Sequence, residues 1–316
     1  MIDDFKEELT HVSYPEKPRD GRVLALVLVA GAVGTAFYFN AKAAEIPNRI
    51  TLSSGVTVYS NQKAAVDATN LSEGLVSIKY TGGKKVRIKV QITKTGGTTY
   101  TYNLNNTGTA ETFPLTEGDG TYTIKVFENT SGTKYATAYS TSVTMKLRNA
   151  LLPFLYPNQY VNYNDNSAVV SKAAEIIAAA NADTPIKKVE AIYKWVTTNF
   201  TYDYDLAANP PVGYLPVVDS VLAAKKGICF DYSAVMASML RSQNIPCKLV
   251  VGYAGTVYHA WINVYIQGVG WVDHYIYFDG EKWTLMDPTF ISTSKGSMAI
   301  KKYVTNSANY SEKYAY

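Results

Sequence analysis

The chain has 316 residues, 47% of them hydrophobic and 18% charged, a composition that folds and excludes disorder of the whole. Its formal charge of +4 comes from scattered Lys and Arg residues, which excludes a concentrated basic surface and, with it, nucleic acid as an expected partner. Two cysteines, Cys229 and Cys247, are too few for a disulfide framework, and no Cys or His pair has the close spacing of a structural zinc site, so no metal or cofactor is expected.

Residues 1–22 read as a polar tail, with His11 solvated among charges. From Val23 to Phe39 the chain is apolar, and no charge falls between Arg22 and Lys42. That run reaches the lower limit for a spanning helix, about 17 residues. Lys17, Arg19 and Arg22 precede it against Asp20 alone, so the positive-inside tendency makes residues 1–22 a cytoplasmic tail and 23–40 a transmembrane anchor, with the remainder outside the cell. Ala41-Lys42-Ala43 also fits a signal-peptidase site, which would make the protein secreted rather than held at the cell membrane. Both alternatives export the rest of the chain.

Residues 46–148 predict a β-sandwich. Val86 to Ile92 alternates apolar with polar residues, and Thr98 to Leu104, Tyr122 to Phe127 and Tyr135 to Leu147 continue the series. Gly82-Gly83 and Gly96-Gly97 read as hairpin punctuation. Gly118-Asp-Gly-Thr-Tyr122, a turn running into a strand, resembles the tyrosine corner of immunoglobulin-like domains. No catalytic constellation falls here, and the unit serves either as a spacer or wall-facing recognition module or as a stabilising partner for the second domain.

Residues 150–316 form that second domain. Pro153, Pro157 and several Asn residues up to Asn164 predict a linker or packed crossover, after which the period becomes helical. Val169, Val170, Ala173, Ile176, Ile177 and Ala180 lie on one stripe, and Ile186, Val189, Ile192, Tyr193 and Val196 recur on another that begins with the cap-and-proline pair Thr184-Pro185. A third helix near Val217 to Lys226 is expected to stop at Gly227 in the left-handed conformation.

A new helix then begins about Cys229, with Tyr232, Val235, Met236, Met239 and Leu240 as its buried stripe. A helix start points unpaired N–H groups and positive dipole at whatever it carries, which favours a thiolate and suits an oxyanion. Cys247 follows Ile245-Pro246 and opens an apolar strand, where burial explains it. A disulfide between the two would consume the nucleophile. In the strand His259 to Ile266, His259, Trp261 and Asn263 share the face opposite Ala260, Ile262 and Val264. Asp287 ends a strand before Pro288, where its carboxylate can accept an imidazole N–H.

These pieces in this order, Gly227-Ile-Cys229, Asp231-Tyr-Ser-Ala, Asn244-Ile-Pro246, Val251-Gly-Tyr253, His259-Ala-Trp261 and Asp287-Pro-Thr289, resemble the transglutaminase-like superfamily over about Ser167 to Phe290. The resemblance implies an α+β chain whose last domain has a papain-like core, with Cys229 as nucleophile, His259 as base and then acid, and Asp287 as orienter. It also implies that Tyr202 lies near the oxyanion. The stretch between His259 and Asp287 is longer than the hairpin of compact members, so Gln267 to His274 is expected to leave the ladder and bring the strand ending at Asp287 beside that of His259. Asp273 is the fallback orienter, and His274 has no assigned partner. The function expected is extracytoplasmic, thiol-dependent acyl transfer or amide hydrolysis on a protein or peptide, with a cell-wall component as one substrate class. The alternative is a catalytically silent surface module.

Overall fold

The computed structural model describes residues 52–272 and 310–316. The expected tail and membrane segment, residues 1–22 and 23–40, lie outside them. Among the described residues no helix is long and apolar enough to cross a membrane.

Strands β1 (Val58–Ser60), β2 (Ala64–Asp67), β3 (Leu75–Tyr80), β4 (Ile88–Lys94), β5 (Thr99–Leu104), β6 (Glu111–Pro114), β7 (Gly120–Ser131) and β8 (Lys134–Met145) build the N-terminal part. They form two four-stranded sheets, ordered β1-β2-β3-β6 and β5-β4-β7-β8. Period-two patterning decides the faces. On β4, Ile88, Val90 and Ile92 are buried while Lys89 and Gln91 are half-buried, and Val90 stands opposite Tyr102 and Val126 in the register. Val66, Ile78 and Phe113 of one sheet and Val90, Ile124 and Val126 of the other enter one core, so the sheets pack as a sandwich.

Tyr122 donates its hydroxyl proton to the Gly118 carbonyl at 2.7 Å, the bond of a tyrosine corner. Gly96, at φ 76°, closes the β4–β5 hairpin as expected. Gly82-Gly83 does not close one: it joins β3 to β4, which lie in different sheets. A glycine pair marks a turn without saying whether the flanking strands pair.

After the sandwich, residues 150–164 are a packed crossover rather than a loose linker. A 3-10 turn at Leu152–Phe154 and the buried Tyr156, Tyr160 and Val161 hold it down. Helix α1 (Ala168–Ala179) follows, then α2 (Pro185–Asn199), where the Thr184 hydroxyl accepts the Lys187 N–H at 3.3 Å and Pro185 takes the first position. Strand β9 (Thr201–Tyr202), helices α3 (Tyr204–Ala208) and α4 (Val218–Ala224), and strand β10 (Lys226–Gly227) lead to α5 (Cys229–Ser242). Strands β11 (Cys247–Ala254), β12 (Val257–Ile266), β13 (Gly270–Val272) and β14 (Tyr310–Ala315) complete the order, paired as β13-β12-β11-β14.

Two expectations need correction. Helix α4 ends on Lys225 at φ 49°, not on Gly227. Gly227 is required for close approach: a Cβ there would lie 2.5 Å from that of Asp231. The second concerns Gln267 to His274. Instead of leaving the ladder, the chain turns through Gly268 (φ 84°), closed by the Val269 N–H on the Ile266 carbonyl at 3.0 Å, and Gly270–Val272 pairs back onto Val264–Ile266. The tight glycine turn makes the local return cheaper than an excursion. At Val264–Ile266 the second edge of β12 is therefore occupied by β13.

Helix α5 is the hub: all 14 of its residues are buried, and α1, α2, α4, β10, β11 and β12 pack around it. Each large apolar side chain on it contributes ~1.5–3 kcal/mol on burial, which anchors both ends of the helix.

Candidate functional site

Cys229 occupies the first position of α5, as the sequence predicts, and is 4% exposed. Ile228 precedes it in extended conformation and has no side-chain acceptor, so the cap comes from the third helical residue. The Asp231 carboxylate accepts the Ile228 N–H at 2.8 Å. Its other oxygen accepts the Tyr214 hydroxyl at 2.7 Å. Asp231 is fully buried, and burial raises its pKa to about 6; the bonds from Tyr214 and Ile228 pull it down, and the charge of Asp203 adds to the rise. Asp203, in turn, caps α3 through the Leu206 N–H at 3.1 Å and pairs with Lys226 at 3.0 Å.

The approach to Cys229 is set by β9 and β10, which pair in parallel with Tyr202 opposite Gly227. The Asp203 N–H donates to the Gly227 carbonyl at 2.9 Å. Tyr202 thus stands beside the turn that carries the thiol and meets the Tyr204 ring edge-on at 5.0 Å. Tyr204 is 39% exposed, so an aromatic pair borders the site.

His259 lies on β12, which packs against α5, and is itself buried. The strand register sets it opposite Gly252 of β11. Its ring stacks with that of Trp261 at 6.4 Å, and Trp261 meets Tyr310 of β14 at 5.2 Å. The structure therefore carries Cys229 and His259 on two elements in direct contact. Asp287, with Asp273 and His274, lies outside the described residues.

Cys229 and Cys247 are both free thiols. Cys247 is sealed in β11, where burial pushes its pKa up to about 12 against the opposing charge of Arg241. A thiol in that state is a core residue. Among the described residues no cluster of three or more His, Cys, Asp or Glu side chains is arranged to hold a metal. A cavity of about 530 Å³ opens between the sandwich and the β13-β12-β11-β14 sheet, lined by Tyr100, Glu117, Lys248 and Trp271 among others, and it includes neither Cys229 nor His259.

Tyr214 escaped the sequence reading altogether, since nothing local distinguishes it from the chain's other tyrosines. Asp231 carried a legible signal, an acidic residue at the third position of a helix whose cap residue has no acceptor.

A family model described as the transglutaminase-like superfamily matches residues 170–288. YebA, an uncharacterized protein of Bacillus subtilis strain 168, is 25% identical over 147 residues, covering 40% of this chain and 20% of that protein. The chain thus spans about a fifth of the length of this curated relative. Among solved structures, a candidate cysteine protease from Cytophaga hutchinsonii is 15% identical, with 82% of this chain and 73% of that one covered at a TM-score of 0.38. Red sea bream transglutaminase is 14% identical, with 62% and 47% covered at a TM-score of 0.24.

Proposed function

We propose that this protein, whose residues 170–288 match the model of the transglutaminase-like superfamily, is a thiol-dependent acyl transferase or amide hydrolase acting on proteins or peptides. The observation that carries the reading is Cys229 at the first position of buried α5, packed against the strand that presents His259. Cys229 attacks the carbonyl carbon of an amide as its thiolate, with His259 holding the proton. Charge develops on the carbonyl oxygen, where N–H groups of the first helical turn stabilise it. His259 returns the proton to the departing amine, leaving a thioester on Cys229. Water or a second amine, deprotonated by His259, then attacks the thioester and restores the thiol. In this scheme a carboxylate, Asp287 or the fallback Asp273 that follows β13, accepts the second imidazole N–H and fixes the tautomer.

The apolar run 23–40 and its basic flank support an anchor with the catalytic domain outside the cell, where surface protein or wall peptide is the substrate class at hand. Incubation with a glutamine-rich protein and a labelled amine tests the chemistry. Label incorporation or ammonia release that disappears in Cys229→Ala supports it, and equal turnover by that variant contradicts it. Ammonia release without incorporation selects hydrolysis over transfer.

A further inference from the structure

The geometry points to Asp231 and Tyr214 as positioning residues for Cys229, a role that rests on the acyl-transfer reading and adds two residues to its machinery. A helix start leaves its first N–H groups without intrahelical partners, and the direction in which they point depends on the turn before the helix. That turn is Gly227-Ile228. Asp231 is two residues beyond the thiol, yet its carboxylate folds back to take the Ile228 N–H at 2.8 Å. With that amide occupied by a side chain, the turn is tied to the helix it introduces. Gly227 supplies the space, because a Cβ there would lie 2.8 Å from the carboxylate Oδ2 and 2.5 Å from Asp231 Cβ.

Tyr214 fixes the carboxylate from outside the helix. It lies between α3 and α4, its N–H bonded to the Pro211 carbonyl at 3.0 Å, and its hydroxyl donates to Asp231 at 2.7 Å. The clamp therefore ties three pieces together: the loop before α4, the turn before α5, and the first turn of α5. A purely structural residue at this position would have little reason to be acidic. A buried carboxylate held by neutral donors destabilises the fold, whereas a neutral acceptor would cap as well. Asp203 and Lys226, a charged pair at the ends of β9 and β10, satisfy each other and leave Asp231 to its two hydrogen bonds.

The experiment compares Asp231→Asn with Asp231→Ala in the full chain. Both remove the charge, and only the first keeps an oxygen that accepts the Ile228 N–H. The readout is the rate of iodoacetamide alkylation at Cys229 at pH 6.5, assigned by peptide mass, on samples held below their melting temperature. The clamp predicts that Asp231→Ala reacts more slowly than Asp231→Asn by about fivefold, the scale of one helix cap. Equal rates in the two variants overturn the proposal. Should Asp231→Ala not fold, Tyr214→Phe at pH 8 decides: slower alkylation than wild type supports the clamp and an unchanged rate overturns it. The comparison needs no substrate, so it is separable from the function itself. A wild-type Cys229 no faster than free cysteine counts against acyl transfer, while the difference between variants still judges the clamp.

Discussion

A carboxylate buried away from solvent is an expensive residue, and Asp231 shows what the expense does. Its folded pKa of about 6, raised by burial, lies above the ordinary carboxylate value of 3.8. Between those values the folded protein binds more protons than the unfolded chain, so this group's contribution is most favourable below about pH 4 and is lost as pH rises through 6. A rise of that size corresponds to ~3 kcal/mol. Asp231→Asn is therefore expected to be more stable than wild type at pH 8 by up to about 3 kcal/mol, with the difference closing toward pH 4. Urea titrations at the two pH values check this; a variant less stable than wild type at pH 8 would show that the charge itself is favourable. Cys247, whose pKa burial pushes to about 12, is expected to stay unmodified by iodoacetamide in the native protein while Cys229 reacts.

At the scale of elements, glycine positions hold the sheet and the site together by close approach. A Cβ on Gly252 would overlap the Ser311 carbonyl and stand 3.0 Å from the Lys313 nitrogen, both on β14. The β11–β14 register shifts there, between Val251 and Gly252. Gly252→Ala is expected to loosen β14 and cost about 1–3 kcal/mol, seen as faster amide exchange at Ser311 to Lys313; wild-type exchange would show that β14 yields without penalty. Helix α5 was legible from its sequence, because the start at Cys229 and the apolar stripe from Tyr232 to Leu240 are local signals. The stop of α4 was not, since a glycine used for approach reads like a glycine used for a left-handed turn. The return of β13 onto β12 was equally hidden, because alternation reports faces and not partners. For the site, the sequence marked Cys229 and His259 and their elements, while Tyr214 became visible only when the fold brought it to Asp231.

Across the whole molecule, the sandwich and the helical part share one core. Tyr102 of β5 meets Phe113 at 4.8 Å and Tyr316 at 5.9 Å, and Tyr316 also packs on Tyr160 at 4.3 Å. Thr116 donates to the Ala315 carbonyl at 2.9 Å, and Gln159 to the Asn103 carbonyl at 2.6 Å. Fully buried Arg241 on α5 ties the junction. Its guanidinium donates to the carbonyls of Tyr156 at 2.8 Å, Cys247 at 2.7 and 2.9 Å, and Tyr316 at 2.6 Å. Arg241→Ala strands those oxygens and is expected to cost about 3 kcal/mol or more in urea unfolding, lowering the transitions of both parts together; a shift confined to one part would show that they unfold independently. A shared core of this kind gives α5 a rigid seat, and the proposed role of Cys229 as nucleophile rests on that seat and on His259. The rate of iodoacetamide alkylation at Cys229 in the intact protein at pH 6.5, with and without His259→Ala, tests this most directly. The expected result is a wild-type rate about tenfold or more above that of free cysteine, falling toward it in the variant. A wild-type rate equal to that of free cysteine would contradict an activated nucleophile at the start of α5.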